Sequence, residues 1–241
     1  MYKIERAIIM AAGVGSRMRP ITLDTPKALV EVNGKRMIET IIDALHENGI
    51  DDIYIVTGYL KEKFHMLNSK YQNLKFIENP YYDSCNNISS LYVAREYVEN
   101  SIILDADQII KSKDALSPFF EKSGYNAEKI SEFTNEWILD VDDNKIIGCK
   151  REGADKGWRL YSASRWNAED GKKLKKFLEI EFEDKQNHDI YWDDIPIFLY
   201  PDEFDLNIHR INSGDMMEID SIEELAEIDK KYAKYTGEIH D

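Results

Sequence analysis

The sequence predicts an α/β fold, a Rossmann-like, doubly wound and mainly parallel mixed sheet with a small antiparallel extension. Short apolar runs alternate with segments of helical period through the first 104 residues, which is typical of a parallel sheet covered on both faces. Small or polar residues follow these runs, where the carboxyl ends of the strands are expected. From about residue 130, strand-like pieces joined by turns replace the alternation, which indicates the extension.

The first half of the chain supplies the parallel strands and their connecting helices. Continuous apolar runs of four to six residues predict strands that are buried on both faces. The predicted strands are residues 7–11, 28–32, 52–57, 74–77 and 101–104. Apolar residues at helical spacing predict helices over residues 37–48, 61–70 and 89–97.

The second half is predicted to extend the sheet and then to close it. Strand-like pieces are expected at 137–141, 145–149, 159–163, 208–211 and 217–219, with a helix at 168–179. A closing helix over 221–235 has Ser221 as its N-cap and Glu224 three places on. We therefore expect a single domain over 1–241, with a core of about 1–129 and 206–235 and an acceptor-binding extension of about 130–205. Only residues 236–241 look loose.

The composition excludes several classes of partner. Lys and Arg number 31 against 46 Asp and Glu, a formal net charge of −15, so the protein should repel nucleic acids and anionic membrane surfaces. Two cysteines make no disulfide framework, and no apolar run has the length of a signal peptide or a membrane span. We therefore expect a cytoplasmic protein, and the sequence leaves its oligomeric state open.

A run of small residues follows the first predicted strand. Ala11, Ala12, Gly13, Val14 and Gly15 would let backbone N–H groups approach an anion closely. The run lacks both the GxGxxG spacing and the Lys-Ser or Lys-Thr ending of a P-loop. Taken alone, it is equally typical of a structural turn between a strand and a helix.

Basic side chains make an anion site the better interpretation. Arg17, Arg19 and Lys27 follow the small-residue run closely, so a backbone cradle, two guanidiniums and an ammonium would meet near one strand end, which suits a polyphosphate. Gly58 and Tyr59 come directly after the predicted strand 52–57, and Asn79 follows shortly after the strand 74–77. Because ligands of such sheets bind outside the carboxyl ends of the strands, we expect these residues at the same rim.

Two acidic pairs also follow strands. Asp105 and Asp107 end the strand at 101–104, and Glu218 and Asp220 end the last strand-like piece on one face of it. Carboxylate oxygens are the ligands that Mg²⁺ prefers. Solvated turn residues would give the same pattern, so the basic loop nearby is what favours a site for a metal-bound triphosphate.

Aromatic residues beside carboxylates form a third group. Trp137 follows Asn135 and Glu136, and Tyr191 and Trp192 precede two aspartates. Such rings attract a quaternary ammonium, although Trp and Tyr more often fill a core or its edge.

The whole segment AAGVGSRMRPITLDTPKALVEVNGKRMIE closely resembles the signature of the nucleotidyltransferases that activate sugars and small phosphates. Further motifs in the same order resemble the bacterial CTP:phosphocholine cytidylyltransferases: Gly-Tyr-Leu, Asn-Asn, Asp-Ala-Asp, Asn-Glu-Trp, Tyr-Trp-Asp and Glu-Ile-Asp. The resemblance covers nearly the whole chain.

This resemblance implies transfer of CMP from CTP to phosphocholine, giving CDP-choline and pyrophosphate. It implies Arg17, Lys27 and Asp107 as catalytic residues and Mg²⁺ held by Asp107 and Asp220. The nucleotide would be bound by Ala11–Gly15, Arg17, Lys27, Gly58, Tyr59, Asn79 and Asn87, and the acceptor by Trp137, Tyr191, Trp192 and Glu218. A second phosphate-binding lysine is expected, and Lys150 and Lys156 both remain candidates.

Other acceptors and another function class remain open. 2-Aminoethylphosphonate, phosphoethanolamine or a sugar 1-phosphate could replace phosphocholine on the same fold. A regulatory domain that binds nucleotide without catalysis is a further alternative, because fold alone does not decide activity.

Overall fold

The computed structural model describes residues 1–237, so residues 238–241 of the tail expected to be loose lie outside the described part. The strands are β1 (Tyr2–Lys3), β2 (Arg6–Ala11), β3 (Glu31–Val32), β4 (Lys35–Arg36), β5 (Asp52–Thr57), β6 (Lys75–Glu78), β7 (Ser101–Asp105), β8 (Gln108–Ile110), β9 (Phe119–Phe120), β10 (Gly124–Ile130), β11 (Ile138–Asp142), β12 (Lys145–Lys150), β13 (Gly157–Trp166), β14 (Asn207–Ile211) and β15 (Met216–Glu218).

Four α-helices lie within residues 1–237: α1 (Met37–Glu47), α2 (Ile88–Val93), α3 (Ala168–Glu179) and α4 (Ile222–Ile228). The 3-10 segments are Ser16–Met18, Ile21–Leu23, Lys27–Leu29, Lys61–Ser69, Arg95–Tyr97, Lys113–Leu116, Pro201–Glu203 and Lys230–Tyr235, and π-helical turns occur at Ile180–Asp184 and Ile195–Leu199. None of the helices in this described part is long and apolar enough to span a membrane.

A mixed sheet of nine strands organises residues 1–237, in the order β10-β14-β12-β11-β13-β7-β2-β5-β6. The strands from β7 to β6 are parallel neighbours, as the alternation of strands and helices predicted. β13 joins this parallel part by pairing antiparallel with β7, and β11 and β12 continue from it. The predicted α/β class with a mixed sheet is therefore confirmed. The antiparallel strands belong to the same sheet as the parallel ones and extend it beyond β7.

The first parallel strand is buried on both faces. Ile9 and Ala11 of β2 belong to one core cluster with α1, whereas Ile8 and Met10 pack into a second cluster with α2 and α3. A third cluster joins Met18, after β2, to Ile109, Ile219 and Leu225. This third cluster matters for function because it fixes the loop after β2 against the ends of β8 and β15.

Several predicted elements differ from the observed ones. In the predicted strand 28–32, only Glu31–Val32 is a strand, and it forms a hairpin with β4 around the Asn33-Gly34 turn. The segment expected as a helix over 61–70 is instead the 3-10 segment Lys61–Ser69, in which Phe64 and Leu67 are buried. The helix expected over 89–97 is α2 followed by the short 3-10 segment Arg95–Tyr97.

The closing helix is also interrupted. α4 begins at Ile222 with the predicted Ser221 and Glu224 capping box, but it ends at Ile228. Asp229 breaks it because its carboxylate accepts hydrogen bonds from the backbone N–H groups of Asn33 and Lys231. β8 and β10 were not predicted, because the polar Gln108, Asn126 and Glu128 interrupt their apolar pattern.

Gly124, at the start of β10, offers a test of this arrangement. It has φ +152, and a Cβ there would overlap the carbonyl oxygen of Asn207 on β14. We expect Gly124→Ala to lower the free energy of unfolding by more than about 2 kcal/mol, through backbone strain and overpacking. Gly148→Ala on β12 is the control, since its Cβ would make only ordinary contacts with Asp140. Urea unfolding measures both, and equal effects would contradict the β10–β14 contact.

Candidate functional site

A cavity of about 680 Å³ opens at the carboxyl ends of the parallel strands. It is lined by the residues after β2, by the turn after β7 and by the end of β15. The predicted site residues that line it are Ala11, Ala12, Gly13, Gly15, Arg17, Lys27, Asn79, Asn87, Asp107, Trp137, Tyr191, Glu218 and Asp220. Most of the predicted site therefore shares one cavity.

The loop after β2 folds back over Lys27. Gly15 has φ +66, and a Cβ there would lie 3.0 Å from Cβ of Lys27 and 3.1 Å from Cγ2 of Thr22. The Thr22 hydroxyl donates to the Gly15 carbonyl at 2.8 Å. The loop thus needs glycine at this position, and it brings Lys27 to the cavity.

Lys27 bridges two carboxylates from distant parts of the chain. Its Nζ lies 2.8 Å from Oδ2 of Asp107 and 2.6 Å from Oδ1 of Asp220. Arg17 adds a second cation, with Nη2 2.9 Å from Oδ1 of Asp220. This arrangement joins the basic loop and the two acidic strand ends that the sequence placed at one rim.

Lys27 and Asp220 shift each other's pKa values through their opposite charges. Burial by itself would lower the pKa of Lys27, but the Asp107 and Asp220 carboxylates outweigh it and the pKa lies above its ordinary value. Burial would likewise raise the pKa of Asp220, yet the Lys27 ammonium, with help from Arg17, holds it below the ordinary value. Lys27 and Asp220 are therefore both charged at neutral pH.

Strand pairing brings the two acidic ends together. β8 pairs antiparallel with β15, with Gln108 opposite Glu218. The backbone N–H of Ile219 then donates to the Asp107 carbonyl at 3.1 Å. Asp107 precedes β8 and Asp220 follows β15, so both residues lie at the same end of this short antiparallel ladder, and backbone hydrogen bonds hold them together.

The acidic group has the composition of a site for a hard cation. One carboxylate oxygen from each of Asp107, Glu218 and Asp220 lies within 4.8 Å of the other two. Oδ1 of Asp107 is buried and finds no hydrogen-bond partner within residues 1–237. An all-oxygen donor set with a free buried oxygen suits Mg²⁺, and the predicted ligands Asp107 and Asp220 both belong to it.

Glu218 lies in the most acidic part of the cavity. Burial, together with the charges of Asp107 and Glu136, raises its pKa to about 8. Nη2 of Arg159 lies 3.3 Å from Oε2 of Glu218 and 3.9 Å from Glu136. Arg159 and Glu136 were not among the predicted site residues, since their partners lie far along the chain.

Two of the three predicted aromatic residues face the cavity. The rings of Trp137 and Tyr191 meet edge to face, with centroids 5.7 Å apart and an interplanar angle of 86°. The prediction for Trp192 is wrong: its side chain is 0% exposed and packs among Tyr125 and Trp166 in the core. Neighbouring residues in the irregular segment before Ile195–Leu199 point in different directions, so one ring reaches the cavity and the next the core.

Three predicted nucleotide-binding residues stand outside the cavity lining. Val14, Gly58 and Tyr59 are not among the residues that form its wall in the described chain. Gly58 still shapes the wall, because a Cβ there would lie 2.6 Å from Cβ of Tyr82, which lines the cavity. Tyr59 donates from its hydroxyl to the Leu23 carbonyl at 3.2 Å, so its side chain supports the loop.

Neither candidate for a second phosphate-binding lysine reaches the cavity. Lys150 is 61% exposed and its Nζ pairs with Oδ1 of Asp140 at 3.1 Å, and Lys156 is exposed as well. Both are absent from the lining found within residues 1–237. Besides Arg17 and Lys27, Arg159 approaches the acidic residues, with Nη2 3.3 Å from Oε2 of Glu218.

Several small polar residues of the wall were not predicted as site residues. Asn79, which was predicted, is buried and donates from Nδ2 to the hydroxyls of Ser89 and Ser90 at 3.0 and 3.1 Å. The unpredicted lining residues include Ser16, Tyr82, Cys85, Asn86, Ser89, Ser90, Asp105, Asn135, Glu136, Leu160 and Ser162. Their nearness to the Asn-Asn and Asn-Glu-Trp motifs is the signal that could have found most of them.

Comparison with known proteins agrees with this geometry. The family model described as the MobA-like NTP transferase domain matches residues 7–134. The chain is 38% identical to the 2-aminoethylphosphonate cytidylyltransferase of Lancefieldella rimae, over 94% of this chain and 92% of that protein. It is 35% identical to the choline-phosphate cytidylyltransferase of Streptococcus pneumoniae, over 93% and 97%.

Solved structures give the same result. The CTP:phosphocholine cytidylyltransferase from Streptococcus pneumoniae aligns with a TM-score of 0.86 and 34% identity, over 95% of this chain and 99% of that one. The inositol-1-phosphate CTP transferase from T. maritima aligns with a TM-score of 0.75 at 18% identity, over 99% of each, which shows the fold alone.

The raised pKa of Glu218 predicts that the unfolding free energy of the metal-free protein depends on pH. A carboxyl group with a higher pKa in the folded protein binds more protons there than in the unfolded chain, so its contribution to stability is full below the unfolded pKa of 4.5 and is lost as the pH rises toward about 8. We expect Glu218→Gln to flatten the fall in unfolding free energy between pH 5 and 8, by at most about 1.4 kcal/mol per pH unit. Urea unfolding in the presence of EDTA at several pH values measures this dependence. If Glu218→Gln leaves the change of unfolding free energy with pH as it is in the wild type, the pKa of Glu218 is not raised.

Proposed function

The chain belongs to the MobA-like NTP transferase family, together with its cytidylyltransferases, and we propose that it transfers CMP from CTP to a small phosphate or phosphonate that carries an ammonium group. One observation carries this proposal: a single cavity joins the network of Lys27, Asp107 and Asp220 to a wall of rings and carboxylates. The first side suits a triphosphate, and the second suits a small cation.

The residues after β2 would bind the triphosphate. The backbone from Ala11 to Gly15 would donate N–H groups to phosphate oxygens, because its small side chains leave it open to the cavity. Arg17 and Lys27 would add charge-assisted hydrogen bonds and take up the negative charge of the leaving pyrophosphate.

Asp107 and Asp220, with Glu218 beside them, would hold Mg²⁺. When bound, the ion supplies charge that screens the phosphate oxygens from one another. Lys27 already pairs with the same two aspartates, so the protein holds these side chains close together before any substrate arrives.

The reaction is an in-line displacement. An oxygen of the acceptor's phosphate or phosphonate attacks the α-phosphorus of CTP, the bond to the β-phosphate breaks, and pyrophosphate leaves. The nucleophile is already anionic, so no general base is needed. The protein's task is to align two anions that repel each other, which positioning and fixed positive charge can accomplish.

The wall beside the acceptor favours a primary ammonium, as in 2-aminoethylphosphonate. Glu136 and Glu218 line the cavity together with Trp137 and Tyr191, and carboxylates pair best with a group that can donate N–H hydrogen bonds. Trp192 lies in the core, so the wall has fewer rings than a full cage for a methylated cation would use. Phosphoethanolamine shares this primary ammonium.

Phosphocholine is the second candidate. The edge-to-face pair of Trp137 and Tyr191 favours it, because a quaternary ammonium is attracted to aromatic faces without donating hydrogen bonds. A sugar 1-phosphate finds less support, because it carries no cationic group for Glu136, Glu218 and the ring pair to bind. A regulatory domain without activity is disfavoured by the charged network of Arg17, Lys27, Asp107 and Asp220.

A pyrophosphate-release screen tests this proposal. Four nucleoside triphosphates are crossed with 2-aminoethylphosphonate, phosphoethanolamine, phosphocholine and glucose 1-phosphate in the presence of Mg²⁺. We expect release to require CTP and a cationic acceptor, with the highest kcat/KM for 2-aminoethylphosphonate. A preference for phosphocholine would reverse the order of the two acceptors, and activity with glucose 1-phosphate alone would refute the cationic pocket.

Asp107→Ala should lower kcat by at least about a hundredfold in that assay, because it removes a proposed metal ligand and one partner of Lys27. Asp142→Ala, at the exposed end of β11, is the matched control and should keep its activity within about twofold. Thermal unfolding checks that both variants remain folded. Full activity in Asp107→Ala would remove this residue from the mechanism.

A further inference from the structure

Arg151 packs against Trp137, a ring of the cavity wall, without lining the cavity within the described chain. Its guanidinium carbon lies 4.7 Å from the centroid of the Trp137 ring and 4.4 Å from that of Phe198. Trp137 lines the cavity, whereas Arg151 and Phe198 do not belong to its lining within the described chain. The arginine therefore stacks on the far side of the wall that the acceptor would meet.

The same guanidinium pairs with a buried carboxylate. Nη2 of Arg151 contacts Oδ1 of Asp194, which is 5% exposed. The other carboxylate oxygen of Asp194 accepts a hydrogen bond from the backbone N–H of Tyr191 at 3.1 Å. Arg151 and Asp194 thus connect Trp137 to Tyr191, the two rings that face the cavity.

Further hydrogen bonds hold the segments that carry Trp137, Arg151 and Tyr191 in place around this contact. Thr134 and Ala154 exchange two backbone hydrogen bonds of 3.1 Å, which tie the loop after β12 to the loop that carries Trp137. Gly153 has φ +72, and a Cβ there would overlap the Thr134 carbonyl oxygen. On the other side, the backbone N–H of Trp192 donates to Oδ1 of Asn87 at 3.0 Å, so the segment of Tyr191 is held against the cavity wall.

We propose that Arg151 is a positioning residue for the acceptor: paired with Asp194, it holds the rings of Trp137 and Tyr191 in the geometry that receives the acceptor's cationic group. The inference rests on the proposed function for the identity of the ligand. It assigns Arg151 no contact with the reacting phosphates, so its effect falls on the acceptor and leaves CTP binding unchanged.

The physical reason lies in what removal of the guanidinium leaves behind. The indole of Trp137 would lose a stacked cation and gain rotational freedom, and Asp194 would remain buried without its counter-charge. Lysine would restore the charge but not the planar stacking against two rings together with the bond to the carboxylate. The aromatic wall should therefore depend on arginine itself.

The test compares Arg151→Met, Arg151→Lys and Asp194→Asn with the wild type. For Arg151→Met we expect the KM of the acceptor to rise roughly tenfold, while the KM of CTP and kcat at saturating acceptor stay within about twofold. Arg151→Lys should recover only part of the loss. The double variant Arg151→Met with Asp194→Asn should be no worse than the poorer single variant, because the two residues act as one unit.

Lys150→Met is the matched control. Lys150 is the preceding residue, and its Nζ pairs with Oδ1 of Asp140 at 3.1 Å. It should leave both KM values unchanged. If Arg151→Met leaves the acceptor KM unchanged, or raises the KM of CTP equally, Arg151 does not position the acceptor wall.

A structural readout separates this inference from the proposed function. If the wild type turns over none of the acceptors, the proposed function fails, but the contact can still be judged from a crystal structure of Arg151→Met. We expect the Trp137 ring to leave its edge-to-face contact with Tyr191, which has centroids 5.7 Å apart in the wild type. An unmoved ring would overturn the positioning role whatever the substrate is.

Discussion

The pairing of Lys27 with Asp107 and Asp220 is the interaction on which the site depends. It joins residues that are 80 and 193 positions apart in sequence, at hydrogen-bond distance. Without a central cation, carboxylates this close would repel one another and would bind protons more readily. Lys27 holds the pKa of Asp220 below its ordinary value, and under the proposed function the same ammonium would be available to a phosphate.

The rest of the fold explains how this interaction is held in place. β2 is buried on both faces, so the loop after it begins from a fixed point. The cluster around Met18, Ile219 and Leu225 then packs that loop against the end of β15. On the opposite side of the cavity, the antiparallel strands from β11 to β13 continue the sheet and carry the loops that hold Trp137 and Arg151. The loop after β2 and the loops that carry Trp137 and Arg151 are thus attached to one sheet.

Much of this site could be predicted from the sequence, because apolar runs show where the strands end. Asp107 and Asp220 each come shortly after an apolar run, and Lys27 lies in the loop that follows the first parallel strand, whose carboxyl end faces the site. Trp192 was mistaken for a cavity residue because Tyr191 and Trp192 lie in an irregular segment without a repeating period. Arg159 and Arg151 were missed for a different reason: their carboxylate partners lie 59 and 43 residues further along, and only tertiary packing brings them together.

A crystal structure of the protein with Mg²⁺ and CTP, without acceptor, tests the central claim most directly. The triphosphate should lie along the backbone of residues 11–15, with Nζ of Lys27 bonded to phosphate oxygens and the metal ion on Asp107 and Asp220. Nucleotide bound elsewhere, with Lys27 still bridging both aspartates and touching no phosphate, would contradict the proposed role of this network.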